Sequence, residues 1–256
     1  MNGPGDWRIR GENLDLVAAC EQRLVNCWPA VQTLIFGDWV VRFANGYSGR
    51  ANSASALRAG AQLSDGEVAG LLPLFRAQGL TPAIRLSPLA EAGLEARLIA
   101  MGWRAVTHSI GMVCDTPLGE IDPATVIAPQ PPEAWIAGIS GWQEARKANP
   151  AHLSAIVGRI LLPAAFASLR EGGHDCAYGM AVVDRGMAEI GSIIVGPQAR
   201  GRGLGRRLVS SLVGWAAGAG AVRVFLQVEA SNAPARALYA SLGFRDVYSY
   251  TEYRLV

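Results

Sequence analysis

The chain has 256 residues, half of them apolar and 17% charged, with a formal net charge of +2. That length allows one large unit or two compact ones, each with a full core. The composition excludes a disordered chain, and so small a charge excess makes no case for a nucleic-acid or membrane partner.

Four cysteines, Cys20, Cys27, Cys114 and Cys176, form no C-x-x-C pair, and His108, His152 and His174 are widely separated. Reduced thiols and no metal are therefore expected. The opening stretch MNGPGDWRIR lacks an apolar signal core, and the longest uncharged run, 208–222, is shorter than the ~18 residues of a membrane span. A cytoplasmic protein is the expectation.

In chain order, Leu14, Val17, Ala18, Leu24 and Val25 recur at helical spacing over 13–26. A hairpin is predicted from 34–36 and 39–43 about Gly37-Asp38. The loop 44–55, ANGYSGRANSAS, is expected to be an ordinary turn-rich loop, with the lining of a substrate pocket by Tyr47, Arg50 and Asn52 the alternative. Ser64-Asp65-Gly66-Glu67 reads as a cap for a helix that Gly79 ends. A strand at 82–86, a helix over 89–101 closed by Gly102 and a strand over 103–114 follow. Five prolines between 115 and 132 mark a linker, with one strand at 125–128. Helices are predicted over 133–147, with Trp135, Ile139 and Trp142 on one face, and from about 150 to 171, interrupted at Pro163. Packing is the expected role of Trp135, Trp142 and His152, with contact to substrate the alternative.

A hairpin, 176–183 and 187–195, leads into the most informative stretch, SIIVGPQARGRGLGR. A buried strand end, Ile193 to Val195, is followed by a glycine-rich turn that opens a helix near Leu204. Its bare amides and the helix N-terminus favour a phosphate. A P-loop requires Lys and then Ser or Thr after the last glycine, where Arg206 and Arg207 stand, and a G-x-G-x-x-G fingerprint requires glycine at 206. Both fail. The strand 222–228 then turns Val224, Leu226 and Val228 one way and Phe225, Gln227 and Glu229 the other. Ala96 to Val106, ARLIAMGWRAV, parallels Ala237 to Val247, ALYASLGFRDV, at a constant offset. This internal repeat predicts two copies of one α/β unit.

The pattern R-x-x-G-x-G, met by Arg200, Gly203 and Gly205, together with SNAPARALYASLGF from Ser231 to Phe244, resembles the GCN5-related N-acetyltransferase superfamily. The likeness covers roughly 176–256 and is closest to the ribosomal-protein alanine acetyltransferase branch. It implies an α/β (α+β) fold of tandem units, each a mixed, mostly antiparallel sheet flanked by helices. Residues 1–120 would be a degenerate copy, with Leu98 where Tyr239 stands and no glycine turn, and 121–256 the catalytic one. The implied activity is acetyl transfer from acetyl-CoA to a primary amine of a small molecule or peptide, by a monomer or homodimer.

By the same resemblance, the backbone of Ile193, Ile194 and Val195 would hold the thioester and pantetheine arm. Gln198, Arg200, Gly201, Arg202, Gly203, Leu204, Gly205 and Arg206 would hold the pyrophosphate, with Asn232 and Tyr239 completing the cofactor groove. Tyr239 is the candidate general acid, because a phenol stays protonated at neutral pH. Glu189 and Glu229 are the candidate bases, with a water relay as the alternative. The position where the alanine acetyltransferases carry a strand Glu is Gln227, which cannot take a proton. That departure, and the decayed first half, motivate a rival reading as a non-catalytic acyl-CoA sensor.

Overall fold

The structure, a computed structural model, describes residues 13–143 and 149–255. The chain runs α1 (Leu14–Cys27), β1 (Gln32–Phe36), β2 (Trp39–Phe43), β3 (Ala54–Ala56), α2 (Asp65–Ala77), β4 (Ala83–Leu86), α3 (Leu94–Ala100) and β5 (Arg104–Cys114). It continues with β6 (Thr125–Ala128), α4 (Glu133–Gly141), α5 (Pro150–Val157), β7 (Ala164–Glu171), β8 (His174–Asp184), β9 (Met187–Val195), α6 (Leu204–Gly218), β10 (Arg223–Glu229), α7 (Ala233–Ala240) and β11 (Arg245–Arg254).

Local chemistry accounts for many of these boundaries. Asn13 accepts the Leu16 amide at 2.9 Å, Ser64 and Glu67 form a reciprocal capping box, and Asn232 accepts the Ala235 amide. Arg185 and Gly186, both at positive φ, make the two-residue turn between β8 and β9.

All strands join one sheet in the order β1-β2-β3-β4-β11-β5-β10-β9-β8-β7-β6. The pairs β3–β4 and β9–β10 are parallel and the others antiparallel. The repeat is visible in three dimensions. Gly102 and Gly243 sit at φ +88° and +85°, each after a short helix, and the next residue donates back to the matching position, Trp103 to the Leu98 carbonyl and Phe244 to that of Tyr239. The last strand of each half is traded: β5 pairs with β10, and β11 lies between β4 and β5. The strands on the two sides of residue 120 thus share one continuous sheet.

Several expectations need correction. The segment 150–171 is not an interrupted helix: α5 ends at Val157, and 164–171 is β7. Both faces of β7 are buried, so its apolar run lacks the alternation that marks a strand. The helix expected over 89–101 shrinks to α3, because Leu89 and Glu91 pair through their backbones with Ala61 instead. The helix expected over 133–147 ends at Gly141, and residues 144–147 of that expectation lie outside the described residues. The loop 44–55 closes in a short strand, β3.

Two cores flank the sheet, and β10 separates them. Val224, Leu226 and Val228 enter the smaller core under α6 and α7, whereas Phe225 enters the larger one, as strand alternation requires.

Candidate active site

β9 and β10 pair only from Arg223↔Met187 to Phe225↔Glu189 and then diverge. The cause lies in β9. Tyr178 faces Ile194 and Met180 faces Gly191, so Ser192 and Ile193 stand opposite the single residue Gly179. Ser192 takes φ +54°, uncommon for a residue with a side chain. This bulge turns β9 away from β10 and leaves the backbone of 190–195 facing an opening.

A cleft of about 560 Å³ occupies the split. One wall is Ile190 to Ile193 and another Leu226 to Glu229, with Asn232 and Tyr239 between them. The far side comes from the first half and the traded strand: Trp28, Tyr47 to Arg50, Tyr250, Glu252 and Arg254. Tyr47 and Arg50 therefore reach the cleft, as in the alternative reading of that loop, while Asn52 is buried behind them and ties the loop together. Trp28, Tyr250, Glu252 and Arg254 carried no local motif. Only the return of β11 beside β4 brings the last three there.

Below the cleft, the glycine turn leads from β9 into α6. Gly201 and Gly203 adopt φ +74° and +76°, and Gly203 is the N-cap. The Leu204 and Gly205 amides precede the first intrahelical acceptor, whereas those of Arg206 and Arg207 donate to the Gly203 carbonyl at 3.1 and 3.2 Å, and a Cβ at Gly201 or Gly203 meets nothing within 4 Å. The turn is thus an open, positively poled concavity. Gln198, Arg200, Arg202 and Arg206 are exposed around it and Leu204 is buried. Arg202 is ion-paired with Glu171, and Arg206 donates to Ser241. Arg207 instead clamps Asp122 and Glu171, fastening the linker to α6.

The three titratable candidates differ in setting. Tyr239 is buried at the cleft, and burial pushes its phenol up to about 12. Glu229 is exposed at the end of β10 on the cleft wall. Glu189 lies just beneath that wall, 1% exposed, with Oε1 accepting from Arg50 Nη1 at 3.3 Å and Oε2 buried without a partner among the described residues. Burial raises its carboxyl above the ordinary range and Arg50 opposes that rise. A Cβ on Gly191 would stand 2.9 and 3.2 Å from its two oxygens. Gly191, itself in the cleft wall, therefore packs directly over the carboxylate, where no larger residue fits.

Gln227 is held in a buried network. Its Nε2 donates to Glu21 Oε1 at 2.7 Å and its Oε1 accepts from Arg85 at 3.1 Å. Arg85 also pairs with Glu21 at 3.0 Å and stacks 4.0 Å over the Tyr250 ring, while Tyr248 donates to Glu21. Trp135 is buried and donates to the Gly179 carbonyl, Trp142 packs on Tyr178, and His152 bonds to Asn149. None of those three lines the cleft. Among the described residues no group of three metal-ligating side chains occurs, and no helix is long and apolar enough to cross a membrane.

One sheet built from two related halves, with a bulged strand splayed from its parallel neighbour above a single glycine turn, has the fold of the tandem GCN5-related N-acetyltransferases. The fold of a GCN5-related N-acetyltransferase from Kribbella flavida superposes with a TM-score of 0.68 at 17% identity, over 96% of both chains. The N-acetyltransferase YobR of Bacillus subtilis is 25% identical over 94% of this chain and 99% of its own length. The ribosomal protein bS18 alanine N-acetyltransferase of Escherichia coli is 37% identical over 78 residues, 30% of this chain and 53% of its own. Residues 17–253 match the family model described as "Probable histone acetyltransferase Rv0428c C-terminal", and the chain belongs to that family of N-acetyltransferases.

Proposed function

We propose that this N-acetyltransferase moves an acetyl group from acetyl-CoA to the primary amine of a polar small molecule or a peptide, within the cleft between its two halves. The observation that carries the reading is the joining of one glycine turn and one split strand pair to a cleft whose far wall is polar and comes from the other half and from the traded strand β11. The turn and the α6 amides suit the pyrophosphate, and the freed backbone of Ile193 to Val195 suits the pantetheine arm. Micromolar affinity requires roughly 8 kcal/mol. Each charge-assisted hydrogen bond nets about 1.5–3 kcal/mol before association entropy is subtracted, so turn and strand must act together.

In the transfer, Glu189 accepts the proton that the amine sheds as nitrogen bonds to the thioester carbon, and Tyr239 protonates the sulfur as the carbon–sulfur bond breaks. The position of Glu189 directly beneath Gly191 of the cleft wall supports this role, through one water. Glu229, a carboxylate without a cationic partner among the described residues, attracts the incoming ammonium, which gives up one proton to solvent before its neutral nitrogen attacks. The pH profiles of kcat/KM for Glu189→Gln and Glu229→Gln test these roles. Loss of the acid limb in the first alone supports them, and two profiles like the wild type's point to a water relay. Thiol release across a panel of amines and peptide N-termini identifies the acceptor. Tight acetyl-CoA binding without release for any amine supports the sensor reading instead.

A further inference from the structure

The half of the chain without a glycine turn keeps an elaborate loop at the cleft. Asn52 Oδ1 accepts the Ala44 and Gly46 amides at 2.7 and 3.0 Å, and its Nδ2 donates to the Ser48 carbonyl at 2.7 Å. Trp28 Nε1 donates to Ser48 Oγ at 2.9 Å. Arg42, fully buried, donates to the carbonyls of Trp28 and Arg50. Burying a guanidinium to grip two carbonyls is costly, and what it fixes is the backbone of Arg50. The Arg50 guanidinium lies 5.7 Å over the Trp28 ring, reaches Glu189 and lines the cleft. A Cβ at Gly49 would meet the Glu252 carboxylate, so the loop also packs on β11.

We infer that Arg50 is a positioning residue for the transfer: it holds the buried Glu189 as a carboxylate beneath Gly191 of the cleft wall, so that both halves complete one active site. The inference rests on Glu189 serving as base. The other titratable groups around Glu189 carry no charge near neutral pH. Cys27 of α1 and Tyr239 of α7 are both pushed up by burial, and Arg50 is the cation that opposes the burial of Glu189. With one oxygen on Arg50 and the other unpartnered, the carboxylate keeps a free acceptor.

The test is the titration midpoint of Glu189, read by NMR of the full chain carrying ¹³C-labelled glutamate side chains, with the signal assigned by its loss in Glu189→Gln. Arg50→Gln should raise the midpoint by about 1–3 units, the range for removing a cation in contact with a carboxylate, and Arg50→Lys should return it most of the way. An unchanged midpoint in Arg50→Gln, or equal midpoints in the Gln and Lys variants, overturns the inference. If Arg50→Gln does not fold, Arg50→Lys is compared with wild type: a midpoint within about one unit supports the role of charge, and a larger rise overturns it. The acid limb of kcat/KM, measured with the fastest amine of the thiol-release panel, separates this inference from the base assignment. A limb that stays put while the midpoint moves rejects Glu189 as base and leaves the ion pair established.

Discussion

Tyr239 lines the cleft from α7, and Glu189 lies beneath the cleft wall on β9 with Arg50 opposing the effect of its burial. Tyr239, pushed up to about 12, stays protonated, so under the proposed mechanism Tyr239→Phe removes the proton donor and little else. We expect turnover to fall by roughly 10²–10⁴-fold with acetyl-CoA affinity nearly unchanged, measured by single-turnover kinetics and calorimetry; unchanged turnover would remove the role. Glu189 works only when ionised, and burial raises its pKa. Wild-type kcat/KM should therefore fall as pH drops through a midpoint above that of an exposed carboxylate, while Tyr239 causes no alkaline loss below about pH 11. Both residues were legible in the sequence, one from a helix motif and the other from a strand. Arg50 was legible only as a pocket residue, because its ion pair with Glu189 spans two distant parts of the chain.

At the scale of elements, the network about Gln227 ties α1, β4, β10 and β11 together, and it explains why a Glu is absent at that position. A carboxylate there would meet Glu21, which already accepts from Arg85, Gln227 and Tyr248. Gln227→Glu should destabilise the protein by about 3–5 kcal/mol, as broken buried ionic networks do, read from urea unfolding, and should not raise activity. Stability equal to wild type would show that the network yields easily. The strand alternation of β10 already separated Val224, Leu226 and Val228 from Gln227 and Glu229, but the partners of Gln227 had no sequence signal. Glu21 lies on a helix whose apolar spacing says nothing of a carboxylate facing inward, and Arg85 lies in a four-residue strand. The segment 164–171 was misread for a related reason, since a strand buried on both faces carries no period of two.

For the whole molecule, the repeat between 96–106 and 237–247 was readable, but the exchange of β5 and β11 was not, because pairing between distant strands leaves no mark on local pattern. That exchange predicts that residues 1–120 and 121–256 made separately stay unfolded, each lacking a central partner strand, and regain cooperative structure when mixed. Circular dichroism of the fragments checks it, and two independently folded fragments would contradict it. Each chain carries one glycine turn and one split strand pair, so it should bind one acetyl-CoA. Calorimetric titration of acetyl-CoA into the wild type and Gly203→Glu tests this most directly. One site per chain in the wild type, and none in the folded variant, is the predicted result; two sites, or binding that survives the substitution, would contradict the account.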